Sequence, residues 1–159
     1  MSTNAENALA VFQKAVGGEE GPTDWHEITQ EQVNQFADAT LDHQFIHVDP
    51  ERAAQTPFGG PVAHGFLTLS LTAGLSMRMQ SDPEAVKGMA MAVNYGLDKV
   101  RFINPVRVGR RVRLTRKLVS ADLVAGGTAV QVKHEVTIHI EDEAKPACVA
   151  ESLTRFVYS

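Results

Sequence analysis

Cysteine is nearly missing: Cys148 is the only one in 159 residues. A single thiol excludes an intrachain disulfide and a multi-cysteine zinc site, and it fits a reducing compartment. Long apolar runs are missing too. No stretch reaches the ~20 apolar residues of a membrane-spanning helix, and the opening "MSTNAENALAVFQKAVGGEEG" lacks the basic start and apolar core of a signal peptide. These absences predict a cytoplasmic protein without membrane contact. There is no internal repeat and no low-complexity tract, and "VGGEEGP" lacks the Lys-Ser/Thr of a phosphate-binding loop. What remains, 43% hydrophobic and 21% charged, is an ordinary globular composition. The length favours one domain over 1–159 with a buried core, residues 1–20 forming an N-terminal helical extension.

Formal charge is −4, yet eight of the 15 basic residues fall between Lys99 and Lys117 with no acid among them. Such a run is usually a solvated sheet face plus a turn. The sharper alternative is a contact for a carrier's phosphates, for which Arg107, Arg110 and Arg111 are the candidates. Nucleic acid is not expected, because the whole chain is acidic and carries no nucleic-acid motif.

Ala8, Leu9, Val11, Phe12, Ala15 and Val16 recur at helical spacing until Gly17-Gly18 ends the pattern. "TQEQVNQFADAT" predicts a helix capped by Thr29, with Val33, Phe36 and Ala37 on one face. "DPERAAQ" predicts a short helical turn capped by Asp49, with Pro50 at its first position. From Val62 to Gln80 the chain is apolar nearly all round, which predicts a helix buried on most sides. Four strand-like segments follow, "MAVNYGLDKVRFINPV", "RVRLTRKLVSADLV", "TAVQVKHEVTIHI" and "ACVAESLTRFVY", separated by turn signals. Val130, Val132, Val136, Ile138 and Ile140 alternate with polar residues, as in a half-buried strand, and His134 falls on their face, expected as a hydrogen-bonded interior histidine with a substrate contact as the alternative. Helices followed by strands without intervening helices predict an α+β fold, an antiparallel sheet around a buried helix.

The chemistry concentrates in "DHQFIHVDP" and "FGGPVAHGFLTLSL". Taken with "FADAT" upstream, these residues resemble the hydratase motif of the MaoC-like family of (R)-specific enoyl-CoA hydratases. The shared skeleton is Asp42, four residues, His47, Asp49, then Phe58-Gly59, Pro61 and Ala63-His64-Gly65 leading into the helix. "VRFINPVRVGRRV" is similar to that family's Pro-Val…Val-Gly strand and turn. The resemblance spans roughly Ile28 to Val112. Leu41 and Gln44-Phe45 depart from the commoner pattern and look more like the branch with NodN-like proteins. The resemblance implies a hot-dog fold, an antiparallel β-sheet wrapped around a long central helix, and a homodimer. It implies an acyl-CoA or acyl carrier protein thioester as substrate, no cofactor and no metal. Asp42 and His47 would hold the reacting water, and the Gly65 amide would be the oxyanion donor.

Those residue types suit that chemistry. Hydrating an enoyl thioester needs a base for water, an acid for the α-carbon and donors for the enolate oxygen. Asp and His titrate below and near neutrality, so either can serve the proton transfers. Glycine at a helix start admits close approach to free N–H groups. His64 is expected to hold the loop by hydrogen bonds, and Asp49 to act as a cap. Rival readings are weaker. His43 and His47 have the spacing of a zinc-binding helix, but no glutamate follows as in HExxH and Pro50 interrupts it. Hot-dog thioesterases commonly place a carboxylate on or near the central helix, and Pro61 to Gln80 contains no Asp or Glu. A non-catalytic thioester-binding protein is the alternative from another class.

Overall fold

Ser2 begins the first helix by accepting a hydrogen bond from the Ala5 N–H, and α1 runs Thr3–Ala15. The computed structural model describes residues 2–159. Two short strands follow, β1 (Glu19–Glu20) and β2 (His26–Glu27), then α2 (Gln30–Thr40), which Thr29 caps at the Gln32 N–H. The helical half continues as α3 (Phe45–Val48), α4 (Pro50–Ala53), α5 (Gly65–Ser76) and α6 (Pro83–Val86). The strands come last: β3 (Met89–Phe102), β4 (Arg111–Val124), β5 (Ala129–Ile140) and β6 (Cys148–Tyr158). They form one antiparallel sheet in the order β1-β4-β5-β6-β3, with β2 also against β4.

One face of this sheet carries the core. Val112 and Leu114 on β4 and Val136, Ile138 and Ile140 on β5 are buried with Leu67 and Leu75 of α5. At the other end, Leu118, Val130, Val132 and Tyr158 pack with Ala5 and Ala8 of α1. Each fully buried leucine or valine contributes roughly 1.5–3 kcal/mol, so both helices are fixed to the sheet by side chains the strand alternation supplies. The N-terminal helix is therefore part of the core.

Two expectations change. The apolar segment 62–80 is helical only over Gly65–Ser76, because the Ala63 N–H bonds to the Val106 carbonyl and Val62 bridges to Arg107 as extended chain. Within this single chain α5 is also covered on one side only, with Phe66 66% exposed and Met77, just past its end, 86% exposed. His134 is interior as expected, but Glu20 Oε2 stands 3.8 Å from its Nε2, beyond hydrogen-bond distance, and the Arg116 charge also acts on it. Burial pushes its imidazole down to about 4.

Candidate active site

Leu41 ends α2 in the left-handed conformation, φ 66°, and turns the chain sharply into the loop carrying Asp42. His47 follows on the single turn of α3. Its Nδ1–H donates to the Val62 carbonyl at 2.6 Å, while the Val62 N–H returns a bond to the Ile46 carbonyl at 2.9 Å. From α2, the Gln30 side chain donates to the His47 carbonyl at 2.8 Å. The loop, α3 and the approach to α5 are thus stitched together through main-chain groups.

Just before α5 stands His64, whose Nε2–H donates to the Asp42 carbonyl at 2.9 Å. Its ring stacks on His47 with centroids 3.9 Å apart and planes 25° apart, and Phe36 of α2 packs against it at 4.9 Å. Polar side-chain atoms of Asp42, His47 and His64 lie within 4.8 Å of one another, with both histidines buried and Asp42 exposed. The two carbonyls settle the tautomers, since a carbonyl only accepts. His47 keeps its lone pair on Nε2; His64 keeps its own on Nδ1, which is buried without a partner among the described residues. Burial lowers the basicity of His64.

α5 starts at Gly65 with no side-chain cap, so the positive end of its dipole adjoins the pair. A Cβ at Gly65 would stand 3.0 Å from the Phe102 ring, so only glycine fits without displacing it. The arrangement offers a carboxylate, an imidazole lone pair and a helix N-terminus where negative charge can develop. The same three side chains also have the spacing to offer one ligand atom each to a metal ion.

Other sequence candidates sort clearly. Asp49 caps α4 by accepting from the Arg52 N–H at 3.1 Å. His43 is exposed and paired with Asp38 at 2.8 Å, outside the cluster. Within the basic strip, Lys99 pairs with Glu151, Arg111 with Glu141 and Arg116 with Glu20, while Arg113 lies over the Trp25 ring. Arg107, the bridge partner of Val62, braces the loop ahead of Pro61 by donating to the Gly59 carbonyl at 2.9 Å. Most of the strip is exposed, and three of its eight basic residues pair with acids from elsewhere in the chain. The sequence signal missed the contact between His64 and His47, because a stack between residues 17 positions apart leaves no spacing pattern. Two clefts, of about 430 and 350 Å³, lie elsewhere, beside Trp25 and His139 and beside Glu20 and Arg78. Neither is lined by Asp42, His47 or His64.

Fold and site define a class: a hot-dog protein with Asp42, His47 and His64 gathered at the start of α5. The MaoC like domain family matches residues 11–140. The chain belongs to that family. It is 53% identical over 150 residues to the 3-hydroxyacyl-thioester dehydratase Z of Mycobacterium tuberculosis, covering 94% of this chain and 96% of that protein. It is 45% identical to Nodulation protein N of Rhizobium leguminosarum bv. viciae, covering 94% and 91%. Among solved structures, the unliganded R-hydratase PhaJ1 of Pseudomonas aeruginosa superimposes with a TM-score of 0.66 at 20% identity, covering 91% of this chain and 83% of that one. Among the described residues no helix is long and apolar enough to cross a membrane.

Proposed function

We propose that this protein is an (R)-specific enoyl-thioester hydratase that works in reverse as a 3-hydroxyacyl-thioester dehydratase in fatty-acid metabolism. The observation that carries this reading is the Asp42 carboxylate and the His47 imidazole held together at the uncapped start of α5. Its 53% identity to a protein named as such a dehydratase supports it. Water sits between Asp42 and Nε2 of His47, and the pair takes one of its protons as its oxygen bonds to C3. The electron pair of the C2–C3 double bond moves to the thioester oxygen, against the amide of Gly65. The pair then returns a proton to C2 while the enolate collapses. The addition consumes no oxidant or reductant, since water supplies both the hydroxyl at C3 and a proton for C2.

Two further parts complete the reading. The substrate cleft is finished by a second copy, because the exposed side of α5 and the open edge of β3 adjoin the site through the Gly65–Phe102 contact. A coenzyme A or acyl carrier protein thioester enters past Arg107 and Arg110 in the cytoplasm. Arg111 contributes least, being engaged by Glu141.

Incubation with trans-2-enoyl thioesters from crotonyl to dodecenoyl, on coenzyme A and on a carrier protein, tests the assignment. Chiral chromatography after hydrolysis should give the (R)-3-hydroxy acid, and deuterated water should label C2 with syn geometry, because one pair handles both transfers from one side. A mainly (S) product would overturn the (R) assignment. No product on any chain length or carrier would leave a thioester-binding protein instead.

A further inference from the structure

His64 occupies the position just before α5 where serine, threonine, aspartate or asparagine would normally fold back onto the first amides. It makes no such bond. It spends its one N–H on the Asp42 carbonyl and its ring face on His47, so a single buried side chain touches both members of the pair. Its remaining nitrogen, Nδ1, has no partner although the residue is only 2% exposed. A buried polar atom left unpaired costs stability, and an aliphatic residue here would avoid that cost. Helix stability alone therefore does not account for a histidine at this position.

We propose that His64 is the positioning residue of the reaction, a neutral imidazole that fixes the distance between Asp42 and His47 and leaves the amides of α5 free for the thioester oxygen. The bond to Asp42 holds the loop that Leu41 turns into place; the stack sets the plane of His47, whose other constraint is the Val62 carbonyl. With a carbonyl accepting at Nε2 and no partner for a proton at Nδ1, His64 stays neutral beside its neighbour. His47 is then the ring of the stacked pair that can take up charge during turnover. A capping side chain in this place would occupy the donors that the developing enolate needs. The inference rests on the hydratase reading above.

Two variants divide the two contacts. His64→Phe keeps a ring against His47 and loses the bond to Asp42; His64→Gln keeps an N–H near the Nε2 position and loses the stack. Each should lower kcat at least ~10-fold with KM changed by less than ~3-fold, after rates are normalised to the folded fraction by circular dichroism. Introduced into Asp42→Asn, His64→Phe should cost less than ~3-fold further, because a positioning residue acts only through the pair it positions. Long-range ¹H–¹⁵N NMR of the unmutated protein at neutral pH should find His64 neutral with its proton on Nε2. Equal fractional losses in both backgrounds, or a proton on Nδ1 of His64, overturn this inference while the hydratase reading stands. No turnover by the unmutated chain overturns the hydratase reading and this one with it.

Discussion

At position 47 the ring gives its Nδ1 proton to the Val62 carbonyl, which leaves Nε2 as the free lone pair near the Asp42 carboxylate. Among the described residues the bonds that tie this loop to the approach of α5 run through Nδ1 of His47 and the Asp42 main chain, not through the Asp42 carboxylate or Nε2 of His47. Removing their acid–base function should therefore separate activity from stability. Asp42→Asn and His47→Gln are each expected to lower kcat by at least ~100-fold, with melting temperatures close to the parent's by calorimetry. Together they should cost far less than the product of the single losses, since both act on one water. Near-parental turnover in either variant would remove that residue from the reaction. This pair was legible in the sequence because five positions of loop and one helical turn keep Asp42 and His47 close whatever the rest does. His64 was legible only as a loop anchor. Its stack and its unpaired nitrogen arise from the meeting of α3 with the start of α5, which no local pattern records.

Among the elements, β4 and β5 were plain in the sequence, because one face meets helices and the other meets solvent, and alternation follows. The extent of α5 was overread at both ends. Val62 and Ala63 are apolar enough to continue a helix, but non-local bonds to β3–β4 connecting residues hold them extended. Its all-round apolarity predicts burial on most sides, whereas in this chain Phe66 faces outward. β3 has the same property: over 14 residues only Met89 and Val100 are half-buried, and Met91, Val93, Tyr95, Leu97 and Phe102 are exposed. An open apolar edge of that length pairs readily with another strand. We expect Leu97→Lys, which puts a charge into that edge in both copies, to convert a dimer into a monomer of 17.3 kDa by light scattering. Activity should fall with it, because the cleft beside Phe102 loses its second wall. A variant that stays dimeric at full activity would place the contact elsewhere.

For the whole molecule, the buried histidines set the response to acid. Unfolded His134 takes a proton near 6.5, the folded residue only at about 4. Between those values the unfolded chain binds more protons, so stability is full above pH 6.5 and is lost as the pH falls towards 4. The loss from this residue amounts to roughly 3 kcal/mol at most. His64 and His139 are lowered by burial as well and act with the same sign. Urea midpoints should thus decline from pH 7.5 to 4.5, and His134→Gln should flatten that decline. An unmutated protein whose midpoint holds constant across the range would mean that His134 is protonated without cost. The sequence placed His134 on the apolar face, but its missing partner depends on how β1 lies against β4, and two residues of strand give no periodic signal.

The sheet has two unlike borders. On one side β4 is shielded by fragments of two residues each, β1 and β2, separated by a stretch containing Gly21 and Pro22, and proline offers no N–H to a newcomer. On the other side β3 stands open along its length. A chain with one adhesive border and one blunted border can be matched once and is then spent. Strand addition beginning at β3 would therefore end with a second copy instead of running on into a ribbon, so the blunted opposite rim guards so much sticky surface against fibres.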